Sequence, residues 1–199
     1  MSPRTPAAFQ RIKDERRDAI MAAALRVFAR KGLAATRIAD LAAEARISQG
    51  LLYHYFPNKE ALFTAIVEGA LRETAALTAG ALRMPGSAWE RLEGLCRRML
   101  EGVLDNPDWP LVTLQAFTSE AVPEQVRAAA RRYGEETFRD LVVLIREGQR
   151  EGHVVDGNAV ELATAFTAAI QGAALSRLLS DRSGPSPLRA ETFLRLLHA

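Results

Sequence analysis

The sequence predicts an all-α protein of about nine helices, on three observations. Apolar residues recur at three- and four-residue steps through most of its 199 residues, which is the period of one helix face. No segment reads convincingly as a strand. Helix stops and caps punctuate the chain at regular intervals, with Gly32, Pro57 and Gly152 as stops and Thr36, Ser48, Asn58, Ser87 and Asp156 as caps.

Taken in order, residues 1–9 carry Pro3 and Pro6 and little apolar content, and are expected to form a flexible arm from which Arg4 and Arg11 could reach a phosphate. Residues 10–31 place Ile20, Ala23, Ala24, Val27 and Phe28 on one face, and Gly32 is a natural left-handed C-terminal residue. Thr36 is expected to cap a helix over 37–44, with Ile38, Leu41 and Ala42 inward and the small Ala39 and Ala43 allowing a close crossing. Ala45-Arg46-Ile47 forms a turn, Ser48 caps 49–55, and Pro57 pushes its predecessor out of the helical region. Asn58 caps a helix to about residue 81. Ser87 and Glu90 form a capping box for the next, which ends near residue 105. A short apolar helix at 109–119 follows, then one over 123–151 with Pro123 in its first turn. Asp156 is expected to cap a small-residue helix to about Ser180. A rigid loop at 183–187 leads to a last helix over 188–198.

At 48% hydrophobic and 25% charged, the chain can build a packed core. The single cysteine, Cys96, allows no intrachain disulfide and fits a reducing, cytoplasmic setting. No apolar run approaching a bilayer span and no export signal are read from the sequence, so no membrane partner is expected. The formal charge of +2 is unevenly divided. Residues 1–60 hold 11 Lys+Arg against 6 Asp+Glu, and the remainder 15 against 18, which favours a polyanionic partner at the N-terminal end.

Two short helices joined by a tight turn at 36–55 match the helix–turn–helix pattern. The second is too short to stand alone in water and must be held by Leu52 and Phe56 against its neighbours. The segment TRIADLAAEARISQGLLYHYFPNKEAL, with AAALRVFARKG before it, resembles the TetR/AcrR family of bacterial transcription regulators from about Ile20 to Leu71. Beyond residue 81 the resemblance is one of helix count and length. It implies a helix–turn–helix domain over 10–57, linked through the helix at 58–81 to a ligand-binding and dimerisation domain over 58–199. One departure is Arg46, where the family most often has glycine; positive φ there costs on the order of 1 kcal/mol.

By the same resemblance Thr36, Tyr53, Tyr55 and Lys59 fall where side chains touch the DNA backbone, with Arg37 completing the set. Gln49, Gly50, Leu51 and His54 fall where they enter the major groove. Glutamine can pair bidentately with adenine, and leucine can meet a thymine methyl. One short helix reads few base pairs, so a homodimer on a near-palindromic operator is expected, paired through the last two helices, with Phe193, Leu194 and Leu197 adding bulk. The resemblance also implies a pocket for a small effector that releases a repressor from its operator. Its expected lining is Trp89, Cys96, Met99, Trp109, Phe117, Tyr133, Thr137, Phe166, Ile170 and Gln171, with Thr167 as a further polar contact, pointing to an apolar or aromatic molecule. A DNA-binding regulator controlled by a protein, or an activator, fits the same residues. An all-α enzyme does not: His54, His153 and His198 are scattered without metal spacing, Cys96 has no nucleophile signature, and no phosphate loop or cofactor motif is present.

Overall fold

The computed structural model describes residues 6–179 and 189–199, and among these are nine helices. They are α1 (Pro6–Ala35), α2 (Ile38–Glu44), α3 (Gln49–Tyr55), α4 (Lys59–Arg83), α5 (Ala88–Asp105), α6 (Asp108–Thr118), α7 (Glu124–Arg150), α8 (Ala159–Leu179) and α9 (Ala190–Leu194). The β-pairing among the described residues is a single antiparallel bridge, Val154 to His198.

Most boundaries follow from local chemistry. Ser48 Oγ accepts from Leu51 N–H at 3.2 Å and Asn58 Oδ1 from Ala61 N–H at 2.7 Å. Ser87 and Glu90 close the capping box reciprocally, at 3.2 and 2.8 Å. Gly152 takes φ 74° to end α7. Phe56, before Pro57, is extended at φ −140° and ψ 122°.

Several expectations are corrected. The residue flanking α2 is Arg37, whose N–H donates to Asp40 Oδ2 at 3.0 Å, so Thr36 is not the cap. Ala39 and Ala43 are exposed, and Leu41 and Ala42 make the buried contact. Pro123 flanks α7 rather than opening its first turn. Asn158, not Asp156, caps α8, its Oδ1 accepting from Val160 N–H at 2.9 Å. Residues 6–9 form the first turn of α1, and α9 is five residues long. Pro3, Arg4, the end of α8 at Ser180, the loop at 183–187 and Leu188 lie outside the described residues.

Two apolar cores run through the molecule. The first gathers Ile20, Phe28, Leu41, Leu52, Phe56 and Phe63 from α1 to α4, with Phe28 and Phe63 edge to face at 5.2 Å. It also takes Val112 and Ala116 of α6 and Val126 and Ala130 of α7. Apolar packing of the N-terminal helices therefore extends well past residue 57. The second core joins Leu92, Cys96, Leu144, Ile145, Phe166 and Phe193 from α5, α7, α8 and α9. α4 and α7 contribute to both cores.

Contrary to the expectation from sequence, α8 is long and apolar enough over 159–177 to cross a membrane by length and composition alone. Here Ala163, Phe166, Ile170 and Ala173 are buried in the second core, and α8 packs on α5 and α7. Its opposite side exposes Val160, Thr164, Ala168 and Leu175. Phe193, Leu194 and Leu197 are buried inside the subunit instead of adding to an outer surface, whereas Leu196 is 73% exposed.

Gly148, buried in α7, packs closely against Val154 of the second core. A Cβ there would meet Val154 Cγ2 at 2.5 Å, and Val154 is held by its bridge to His198. Gly148→Ala is expected to destabilise the fold by about 1–3 kcal/mol through overpacking, readable as a lower urea midpoint at unchanged slope. An unchanged midpoint would show that the 148–154 contact gives way freely.

Candidate nucleic-acid interface and adjoining cavity

The helix–turn–helix is built on the end of α1. At Gly32 the backbone leaves the helix with φ 72° and ψ 165°, which turns the next peptide out of register. The carbonyls beyond this break need new donors. Thr36 Oγ1 donates to Gly32 O at 2.6 Å. Lys59 Nζ, from the first turn of α4, donates to Leu33 O at 2.9 Å, Ala34 O at 3.1 Å and Thr36 O at 2.8 Å.

This geometry engages the side chains of two expected backbone contacts. An ammonium has three N–H donors, and all three of Lys59's are taken by carbonyls, leaving none for a direct bond to phosphate. Thr36 is 1% exposed and its hydroxyl proton is committed to Gly32. Both hold the start of α2 in place, and Lys59 still brings its charge to that edge.

The turn between α2 and α3 closes by two hydrogen bonds, Arg46 N–H to Ala43 O at 3.1 Å and Ile47 N–H to Ala42 O at 3.0 Å. That is the Schellman arrangement, with Arg46 at φ 54° where glycine is least strained. Ile47 is half-buried over the first core. Leu52 and Phe56 anchor α3 from beneath, and Arg17 lies over the Phe56 ring at 4.8 Å. Gln49, Gly50 and His54 are exposed, as is Tyr53 at 51%. Leu51 and Tyr55 are half-buried, and Tyr55 packs on the core with His54 edge to face at 5.5 Å. Arg37 and Arg46 are exposed beside them.

Ion pairs tie α1 to α2. Glu44 meets Arg26 at 2.8 Å and Arg30 at 2.9 Å, and Asp40 meets Lys31 at 2.8 Å. Hydrogen bonds from Arg26 and Arg30 hold Glu44 below the usual carboxylate range, and those from Lys31 and the Arg37 backbone do the same for Asp40. Depressed acids contribute stability above their unfolded pKa and lose it as pH falls through the folded one. The pairs are exposed to solvent, so the contribution is small.

Above this region lies a cavity of about 520 Å³ between α4, α5, α6, α7 and α8. Met99, Trp109, Phe117, Tyr133, Thr137, Ile170 and Gln171 line it, together with Thr167. Trp89, Cys96 and Phe166 do not. Trp89 stacks edge to face on His198 at 4.5 Å, and Phe166 packs on Phe193 at 5.3 Å. Cys96 is fully buried in the second core, where burial pushes its thiol up to about 12 and leaves it unreactive. Sequence reasoning missed Thr74, Thr78 and Thr113 in the lining. Their hydroxyls, like that of Thr167, donate to carbonyls of their own helices, so they offer the cavity methyls and acceptor lone pairs. The charged lining residues, Glu73 and Arg98, are both exposed. Trp109 also lines a second cleft of about 480 Å³ between α1, α4 and the α5–α6 connection.

Sequence reasoning also missed Gln115, on the side of α6 away from the cavity. Its Oε1 accepts from Leu33 N–H at 3.3 Å and its Nε2 donates to Phe28 O at 3.0 Å. A glutamine more than eighty residues from its partners carries no local signal.

Lys59→Met keeps the aliphatic stem and removes the clamp. It is expected to cost about 2 kcal/mol, since bonds to a charged group are at stake, and to lower the melting temperature by about 4–8 °C. An unchanged melting temperature, with a salt slope of duplex binding lowered by about one, would instead assign Lys59 to a phosphate.

The family model for bacterial regulatory proteins of the tetR family matches residues 20–66. The protein named uncharacterized HTH-type transcriptional regulator YfiR, from Bacillus subtilis, is 30% identical over 158 residues, covering 74% of this chain and 72% of that one. The HTH-type transcriptional repressor SCO4008 of Streptomyces coelicolor is 29% identical over 137 residues, 69% of this chain. The matched stretch spans 66% of SCO4008 and 64% of the regulator BetI of Rhizobium meliloti, slightly under two thirds of each. The structure of the ketosteroid transcriptional regulator KstR2 of Mycobacterium tuberculosis has a TM-score of 0.76 at 21% identity, over 92% of this chain and 95% of that one, and so shares its fold. With the helix–turn–helix geometry and the match to YfiR together, the chain belongs to the tetR family of bacterial regulatory proteins.

Proposed function

We propose that this protein is a cytoplasmic, DNA-binding transcriptional repressor, acting as a homodimer and released from a palindromic operator by a small effector. The observation that carries the DNA-binding part is the division of α3. Leu52 is buried in the first core, while Gln49, Gly50, Tyr53 and His54 stand in solvent. A helix held from below with polar and aromatic side chains free above suits insertion into a major groove. Gln49 would read a base edge, Leu51 and His54 would make further groove contacts, and Tyr53, Tyr55, Arg37 and Arg46 would meet the backbone. Repression is the role named for the relative SCO4008.

The dimer surface in this proposal is the exposed side of α8, where Val160, Thr164, Ala168 and Leu175 follow helical spacing, with Leu196 after α9 adding apolar area. Small residues let two helices approach closely. The effector would occupy the 520 Å³ cavity. Its lining of Trp109, Phe117, Met99 and Ile170 suits an apolar or aromatic body, and the acceptor lone pairs of its threonines suit a ligand that donates hydrogen bonds.

Selection from a random duplex pool tests the DNA-binding reading. The wild type is expected to enrich a near-palindrome, and Gln49→Ala to change the preferred bases while leaving the salt slope in place. Failure to enrich any sequence at low salt would remove the reading. Separately, Ala168→Glu is expected to convert a micromolar dimer to monomer in sedimentation without unfolding it. A dimer that persists would move the interface away from α8.

A further inference from the structure

We infer that Gln115 is a positioning residue that couples the cavity to the helix–turn–helix, by holding the two sides of the α1 break from α6. This rests on the proposal that the cavity controls DNA reading.

The two carboxamide bonds of Gln115 straddle Gly32, one to Phe28 O before it and one to Leu33 N–H after it. Leu33 N–H is the donor that the Gly32 backbone turns out of the helix, so Gln115 supplies what the break removes. Leu33 is also where the Lys59 clamp begins. The segment that starts α2 is thereby fixed on one side by α4 and on the other by α6.

α6 can transmit because its neighbouring faces do different things. Trp109, Thr113 and Phe117, at four-residue steps, line the cavity. Val112 and Ala116 are buried in the first core, and Gln115 lies beside them. A rigid helix of eleven residues has no slack between these faces, so displacement of the cavity wall moves the carboxamide. Two hydrogen bonds tolerate a shift of only a few tenths of an ångström before they weaken, whereas the apolar contacts of Val112 and Ala116 can slide. Gln115 thus carries orientation, and its neighbours carry cohesion.

Amide hydrogen exchange over residues 28–37 of the full chain tests this with no effector required. Thr113→Phe inserts bulk into the cavity from the α6 wall. It is expected to change exchange at 28–37 by at least about five-fold when Gln115 is present, and by less than about two-fold in a Gln115→Leu background. Equal changes in both backgrounds, or none in either, would overturn the coupling, since a merely structural glutamine would add its own effect independently. If Thr113→Phe fails to fold by circular dichroism, Thr137→Phe, from the α7 wall of the same cavity, is measured against the same two expectations. On a duplex enriched by the wild type, the affinity change caused by the cavity substitution should likewise vanish in the Gln115→Leu background. If no duplex is enriched, the DNA-binding proposal falls while the exchange result still decides the role of Gln115.

Discussion

The arrangement of the N-terminal region depends on how the end of α1 is satisfied. Gly32 breaks the helix, and the carbonyls of Gly32, Leu33, Ala34 and Thr36 are then bonded by one hydroxyl and one ammonium. A buried polar group left without a partner costs about 1–3 kcal/mol, so the part-buried carbonyls of Gly32, Leu33 and Thr36, more than the exposed one of Ala34, help set the direction of the chain. Thr36 supplies the donor from within the segment, and Lys59 from the helix that follows α3. α2 and α3 lie between these two residues. They are held at both ends by bonds to carbonyls of one short segment, 32–36, and a pair of seven-residue helices needs such anchoring because neither could persist alone.

The helix–turn–helix also shares its packing with later helices. Its apolar core includes Val112, Ala116, Val126 and Ala130, all beyond residue 100. α4 and α7 pass from this core into the second, and the cavity lies between them. A change in the cavity is therefore met by helices already packed on α1. Shared helices and the two hydrogen bonds of the Gln115 carboxamide connect the two parts.

Much of this was legible beforehand. Of the α3 residues expected to face DNA, Gln49, Gly50, Tyr53 and His54 stand in solvent while Leu51 and Tyr55 are half-buried, and Leu52 and Phe56 are buried as the short helix requires. Seven of the ten expected lining residues do border the cavity. The misplaced ones share a cause. Trp89, Cys96 and Phe166 are apolar residues on core-facing sides of helices, and periodicity cannot distinguish a wall that meets a cavity from one that meets another helix. The carbonyl bonds of Lys59 are hidden for a related reason: a lysine at a helix start suits an anion equally well whether or not carbonyls lie within reach.

The sequence by itself determined what depends on neighbours three or four residues apart. Ser48, Asn58 and the Ser87–Glu90 pair cap their helices, Gly32 breaks α1 and Gly152 ends α7 with positive φ, and Arg46 takes the strained turn position. Such bonds form within one turn of chain, so the residue order states them directly. Tertiary structure decided which faces meet. It buried Phe193, Leu194 and Leu197 inside the subunit, left one side of α8 bare, and brought Lys59 and Gln115 to α1 across 26 and 82 residues. Those contacts arise from packing and from the need of broken-helix carbonyls and amides for partners, and neither leaves a period in the sequence to read.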